Sequence, residues 1–137
     1  MYNIIMESVI EKLKIIFPGI KIRLGSIGEE EKESCLVAGI SQVSESCING
    51  KRYCCSIKIF INYYPMGADE QFENRYHVLE LLMKHLESIS LENGAVIRGK
   101  DRSGLVENGN LKFQTEYQIF FLKNQEEEVS MEGIILK

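Results

Sequence analysis

The sequence predicts an α+β domain: a mixed, mostly antiparallel sheet with two amphipathic helices packed on one of its faces. Three observations carry this reading. Two segments, near 3–17 and 69–89, repeat apolar residues at steps of three and four. Two others, 52–64 and 111–122, alternate with a period of two. The resulting order of helix, strands, helix, strands belongs to α+β domains rather than to alternating βαβ folds.

The first helix runs from Asn3 to Phe17. Ile5, Val9, Leu13 and Ile16 form its stripe, and Met6, Ile10 and Phe17 widen it. Asn3 suits an N-cap, and Pro18-Gly19 ends the helix. Ile20, Ile22 and Leu24 then alternate with Lys21 and Arg23 as in a strand. Gly25 to Ser34 reads as an exposed, glutamate-rich loop and Cys35 to Val43 as a second strand. Ser44 to Lys51 reads as a turn around Asn49-Gly50.

Arg52 to Tyr64 is the clearest strand. Tyr53, Cys55, Ile57, Ile59, Ile61 and Tyr63 share one face, while Cys54, Ser56, Lys58, Phe60, Asn62 and Tyr64 share the other; Pro65 ends it. After a loop from Met66 to Glu70, Asp69 caps a second helix that reaches about Ile89. Its stripe is Phe72, Tyr76, Leu79, Met83, Leu86 and Ile89. Glu92-Asn93-Gly94 turns the chain into a short strand at Ala95–Ile97, and Arg98 to Ser103 is a polar connection. Leu105-Val106 and Leu111–Leu122 form a hairpin about Glu107-Asn108-Gly109-Asn110, with Leu111, Phe113, Thr115, Tyr117, Ile119 and Phe121 on one face. Residues 1–125 thus make one domain. Residues 126–137 add the acidic linker Glu126-Glu127-Glu128 and a C-terminal strand within Val129–Leu136, which a neighbouring subunit could take up.

Composition narrows the function. A chain of 137 residues is one domain long, and 45% hydrophobic with 26% charged residues is ordinary for a folded protein. The net charge is −4, with glutamates in two runs, and the 16 basic residues are scattered, so phosphate neutralisation over a broad surface is not expected. No apolar run approaches the roughly 20 residues of a membrane span. The N-terminal segment, with Glu7, Glu11, Lys12 and Lys14 at helical spacing, does not read as a signal peptide, so the chain is expected in the cytoplasm. Cys35, Cys47, Cys54 and Cys55 fit no metal or redox spacing. Cys54 and Cys55 point to opposite faces of their strand, so reduced cysteines acting as small hydrophobes are the plainer reading beside a disulfide or zinc site.

Catalytic signatures are missing. His77 and His85 lie two turns apart without a zinc-helix motif, and there is no nucleophile elbow, Walker loop or dinucleotide-binding spacing. No catalytic, cofactor-binding or metal-binding residues are expected. What stands out is apolar material on the wetter side of the long strands: Phe60 and Tyr64 on one, Phe120 and Leu122 on the other. Together with Met66, Ile134 and Leu136 these make a candidate interface between subunits or with partners. The competing reading is that the monomer itself covers both sheet faces.

The layout resembles the small tail-terminator proteins of Gram-positive phages, prophages and contractile phage-tail-like bacteriocins. The resemblance rests on order and spacing over nearly the whole chain. An N-terminal helix comes first, then Lys51-Arg52-Tyr53 leading a long strand to Tyr63-Tyr64-Pro65. An acidic turn through Asp69 and Glu70 enters the helix ending Leu86-Glu87-Ser88-Ile89. Arg98-Gly99 comes next, then Glu107-Asn108-Gly109 before Leu111 and Phe113, and Met131-Glu132 near the end. The resemblance implies a hexameric ring of non-enzymatic subunits seated on the last layer of tail-tube protein. Such a ring stops tube growth and meets the sheath end or a head connector; it is assembled in the host cytoplasm and kept in the particle. An acidic lumen would let DNA pass without binding it. A different phage neck or tail adaptor, a cellular protein-binding module and a small hydrolase are the other classes the residues allow.

Overall fold

The computed structural model of the chain describes residues 2–26, 33–66, 72–123 and 134–135. The elements are α1 (Tyr2–Ile16), β1 (Lys21–Leu24), β2 (Cys35–Asn49), β3 (Arg52–Tyr64), α2 (Phe72–His85), β4 (Ser88–Ser90), β5 (Val96–Glu107), β6 (Asn110–Leu122) and β7 (Ile134–Ile135). One sheet holds the strands in the order β1-β2-β3-β6-β5-β4, and β7 joins β6. β1 and β2 run parallel; the other pairs are antiparallel. The α+β class and the mostly antiparallel sheet are as the sequence predicts.

Both helices lie on the same face because one apolar cluster needs them both. Ile5, Val9, Leu13 and Phe17 from α1, with Val78 and Leu82 from α2, meet the alternate residues of β3 (Cys55, Ile57, Ile59, Ile61, Tyr63) and of β6 (Leu111, Phe113, Tyr117, Ile119, Phe121). The period-two pattern on the two long strands therefore marks the covered face, where each fully buried Ile or Leu contributes about 1.5–3 kcal/mol. α1 ends as expected: Phe17 N–H still reaches Leu13 O at 2.8 Å, and Pro18 has no N–H to continue the ladder. Leu36 and Ala38, at the start of β2, are wholly buried beneath the same layer.

Three boundaries and one helix face differ from expectation. Ser44 to Cys47 is strand rather than turn: β2 pairs with β3 as far as Asn49↔Arg52, and the turn shrinks to Gly50 and Lys51. The distal half of β2 is wet on both faces, so its sequence lacks the alternation that identifies a strand. The second helix stops at His85, and Ser88–Ser90 becomes β4 against β5. The carbonyls just past its end are taken by the sheet: Tyr117 Oη–H donates to Leu86 O at 2.8 Å and Gly99 N–H to Glu87 O at 2.6 Å. The stripe of α2 is also rotated, because Val78 and Leu82 are buried, with Leu86 just beyond, while Tyr76 is exposed. The 98–103 connection is part of a continuous β5, interrupted by an irregularity between Lys100 and Ser103 where Asp101 takes φ 52°. The 107–110 hairpin turn is as predicted, with Asn108 at φ 52° and Gly109 at φ 79°, the left-handed pair such tight turns require. The Asp69 cap, the Glu29–Glu31 and Glu126–Glu128 runs and Met131-Glu132 lie outside the described residues.

Candidate functional site

The face of the sheet away from the helices is built from residues that alternate with the core. On β3 these are Cys54, Ser56, Lys58, Phe60, Asn62 and Tyr64; on β6, across from them, Lys112, Gln114, Glu116, Gln118, Phe120 and Leu122. Phe60 sits over Gly39, its cross-strand partner on β2. A Cβ added at Gly39 would lie 2.7 Å from Phe60 Cζ, so only glycine leaves the ring room to lie down on the sheet. This packing half-buries Phe60 within its own chain. Beside it, a groove of about 540 Å³ is lined by Ser41, Phe60, Asn62, Ser103, Leu105 and Gln114. Leu105 stands 59% exposed on β5, across Lys112 from Asn62.

Among the described residues, the candidate interface positions do not form one patch. Phe60 and Tyr64 belong to the C-terminal half of β3, and Met66 stands two residues past its end. Tyr64 and Met66 are half-buried, and Met66 is tied to Ser34, whose Oγ accepts from Met66 N–H at 2.9 Å. Phe120 and Leu122 lie level with Cys54 and Arg52, six residues and so about 20 Å along the strand from Phe60. Leu122 is 44% exposed; Phe120 is half-buried and registers with Ile135 of β7. Ile134 pairs through its backbone with Phe121, so β7 lies on the sheet of its own chain, and Leu136 is outside the described residues. Sequence reasoning missed Ile15, Leu24, Val96 and Leu105, all large, apolar and more than half exposed. Ile15 could have been found, since it falls off the Ile5-Val9-Leu13 stripe.

At the hairpin end, on the helix side, aromatic and charged groups interlock. Tyr53 and Phe121 stack at 5.9 Å between centroids and 22° between planes. Lys123 Nζ sits 4.4 Å above the Tyr53 ring and pairs with the Glu45 carboxylate, whose hydrogen bond raises the lysine pKa above its ordinary value. Cys55 is buried beside Tyr2, and burial pushes its thiol pKa up, away from a reactive thiolate. Cys35, Cys54 and Cys55 are buried cysteines outside any disulfide, while Cys47 is an exposed one near the hairpin tip.

Chemistry has little to work with among the described residues. No group of three or more His, Cys, Asp or Glu is placed to hold a metal ion. His77 is exposed, and His85 lines a groove between α1, α2 and β4 with Glu11, Lys12 and Ser90. There Lys12 Nζ donates to Ser88 O at 2.6 Å, a contact that holds α1 to β4. Tyr117, whose pKa burial raises well above the ordinary tyrosine value, is a neutral hydrogen-bond donor inside the core. No described helix is long and apolar enough to cross a membrane.

Compared with known proteins, the chain matches the profile of the phage tail terminator protein family over residues 4–129. One solved structure shares 10% identity with a TM-score of 0.44, covering 93% of this chain and 99% of its own, a likeness too slight to carry weight. No curated protein matches.

Proposed function

Because the chain belongs to the phage tail terminator protein family, we propose that it assembles into a ring, hexameric as the sequence resemblance implies, that caps the tail tube, ends its polymerisation and offers the finished tail end to a sheath or head connector. The observation that carries this reading is the extent of the family match: residues 4–129 take in both helices and the sheet from β1 to β6. The protein acts by contact and not by catalysis. It assembles in the host cytoplasm and remains in the particle.

Physical features support the reading. A closed ring needs two different complementary patches on each subunit, and a chain with large apolar side chains scattered over several faces can supply them. The charge of −4 suits a lumen that DNA traverses without adhering. Mixing the purified chain with growing tail tubes tests the proposal by light scattering and negative-stain imaging. The expected result is a multimer, a cap at one tube end and arrested growth. A chain that stays monomeric and leaves tube length unchanged overturns it. His77→Ala and His85→Ala should cap tubes as well as the natural protein does.

A further inference from the structure

We infer that copies of this chain join by continuing the sheet from one to the next: residues 40–49 of β2 in one copy pair antiparallel with residues 100–107 of β5 in its neighbour. The inference rests on the ring reading and names the surface that would close the ring.

β1 covers β2 only at residues 35–38, and β4 covers β5 only at residues 96–98. Past those points, among the described residues, each strand is bonded on one side only: β2 to β3 as far as Asn49, and β5 to β6 as far as Glu107. Among the described residues no backbone hydrogen bond reaches the outward groups of 40–49 or 100–107. Residues 41–50 are exposed throughout. A row of unpaired N–H and C=O groups is recognised by another extended strand. Natural edges are usually guarded by lysine, proline or a bulge. Residues 42–47 of β2, between the register shifts at Ile40/Gln42 and Cys47/Asn49, contain neither residue and expose Val43. On β5 the stretch from Ser103 to Glu107, past Lys100 and the irregularity beside it, likewise contains neither and exposes Leu105.

The occupant is set by direction and placement. β2 is antiparallel to β3, β3 to β6 and β6 to β5, so β2 and β5 point in opposite senses on opposite sides of one sheet. A second copy brought up by rotation therefore presents its β5 to β2 antiparallel, the more favourable and commoner pairing. In that pairing residue 40 lies near residue 107 and residue 49 near residue 100. The neighbour's turn at Asn108-Gly109 then meets the end of β1, and the hairpin tip meets the neighbour's β4. The two short strands thus act as stops that fix the register from both ends. Along the strands the free stretch of β2 lies level with residues 115–122 of β6, and that of β5 with residues 110–116. The offset is about five residues, or roughly 17 Å, across four strands spaced about 4.8 Å apart; this corresponds to strands tilted by about 40°, within the range of closed sheets.

Amide hydrogen exchange on the full chain, dilute and assembled, tests the pairing. Residues 42–48 and 103–107 should exchange at least tenfold more slowly once assembled. Protection of both stretches supports the inference. Assembly that leaves either stretch unprotected overturns it while the capping reading stands. A chain that never assembles, alone or with tubes, sinks both. As a second measure, of Val43→Pro and Ser44→Pro, adjacent on the edge strand, one loses its N–H to β3 and the other to the outside. The variant that keeps the natural circular dichroism spectrum should need at least tenfold higher concentration to assemble; unchanged assembly by that variant overturns the pairing.

Discussion

β2 is two strands in one. From Cys35 to Ala38 it is buried on both faces, flanked by β1 and β3 and roofed by the helices; from Ser41 to Asn49 it is exposed along its whole length, with β3 on one side alone. The composition follows the surroundings. Cys35-Leu36-Val37-Ala38 is an unbroken apolar run, as strands covered on both faces require, and Ser41-Gln42-Val43-Ser44-Glu45-Ser46 is mostly polar. The first half secures the fold, while the second is held by main-chain bonds and a few side-chain contacts. A single strand can therefore serve as core at one end and as an available edge at the other.

Mutations should separate the halves cleanly. Leu36→Ala or Ile59→Ala empties a site with no solvent exposure and should cost about 2–5 kcal/mol in urea denaturation. Val43→Ala, in the exposed half, should stay within about 0.5 kcal/mol. Equal losses at the two sites would erase the distinction.

Tyr117→Phe should cost about 1–3 kcal/mol, because the buried Leu86 carbonyl loses its donor. It should also flatten the pH response. Burial raises the folded-state pKa of Tyr117 above the ordinary value of 10.0, so the folded chain keeps a proton that the unfolded chain releases. That contribution is intact below pH 10 and is lost as pH rises beyond it. The natural protein should lose stability above pH 10 more steeply than Tyr117→Phe, as read from denaturation midpoints at pH 8 to 11.

Gly109→Ala should cost about 1 kcal/mol, since φ of 79° disfavours a side chain there. The smallest change is expected from Glu45→Gln at the exposed hairpin. Removing the carboxylate should return Lys123 toward its ordinary pKa, visible by NMR titration, with little change in the denaturation midpoint.

These differences also mark how far the residues alone disclose the fold. The faces of β3 and β6, the α1 stripe and the Asn108-Gly109 turn were legible because burial on one side and positive φ leave residue patterns behind. Ser44–Cys47 and Arg98–Ser103 were not legible, because a strand wet on both faces obeys no alternation and Asp101 hides a bulge inside a charged stretch. The end of α2 depended on Tyr117 and Gly99, which are distant in sequence and capture the carbonyls of Leu86 and Glu87 just past it. Greasy outer-face residues such as Phe60 could be named, but not the Gly39 seat that half-buries one of them. The free edges were invisible for a deeper reason: they are made of backbone, which every residue shares.

Arg75 carries one last consequence. Nearly buried on α2, it donates to the carbonyl of Gly109 at the β5–β6 turn. A helix thus moors the turn that joins the two strands it packs on, like a stay holding a mast. The turn just past Glu107, at one end of the edge where a neighbour would dock, is thereby held by the protein's own helix.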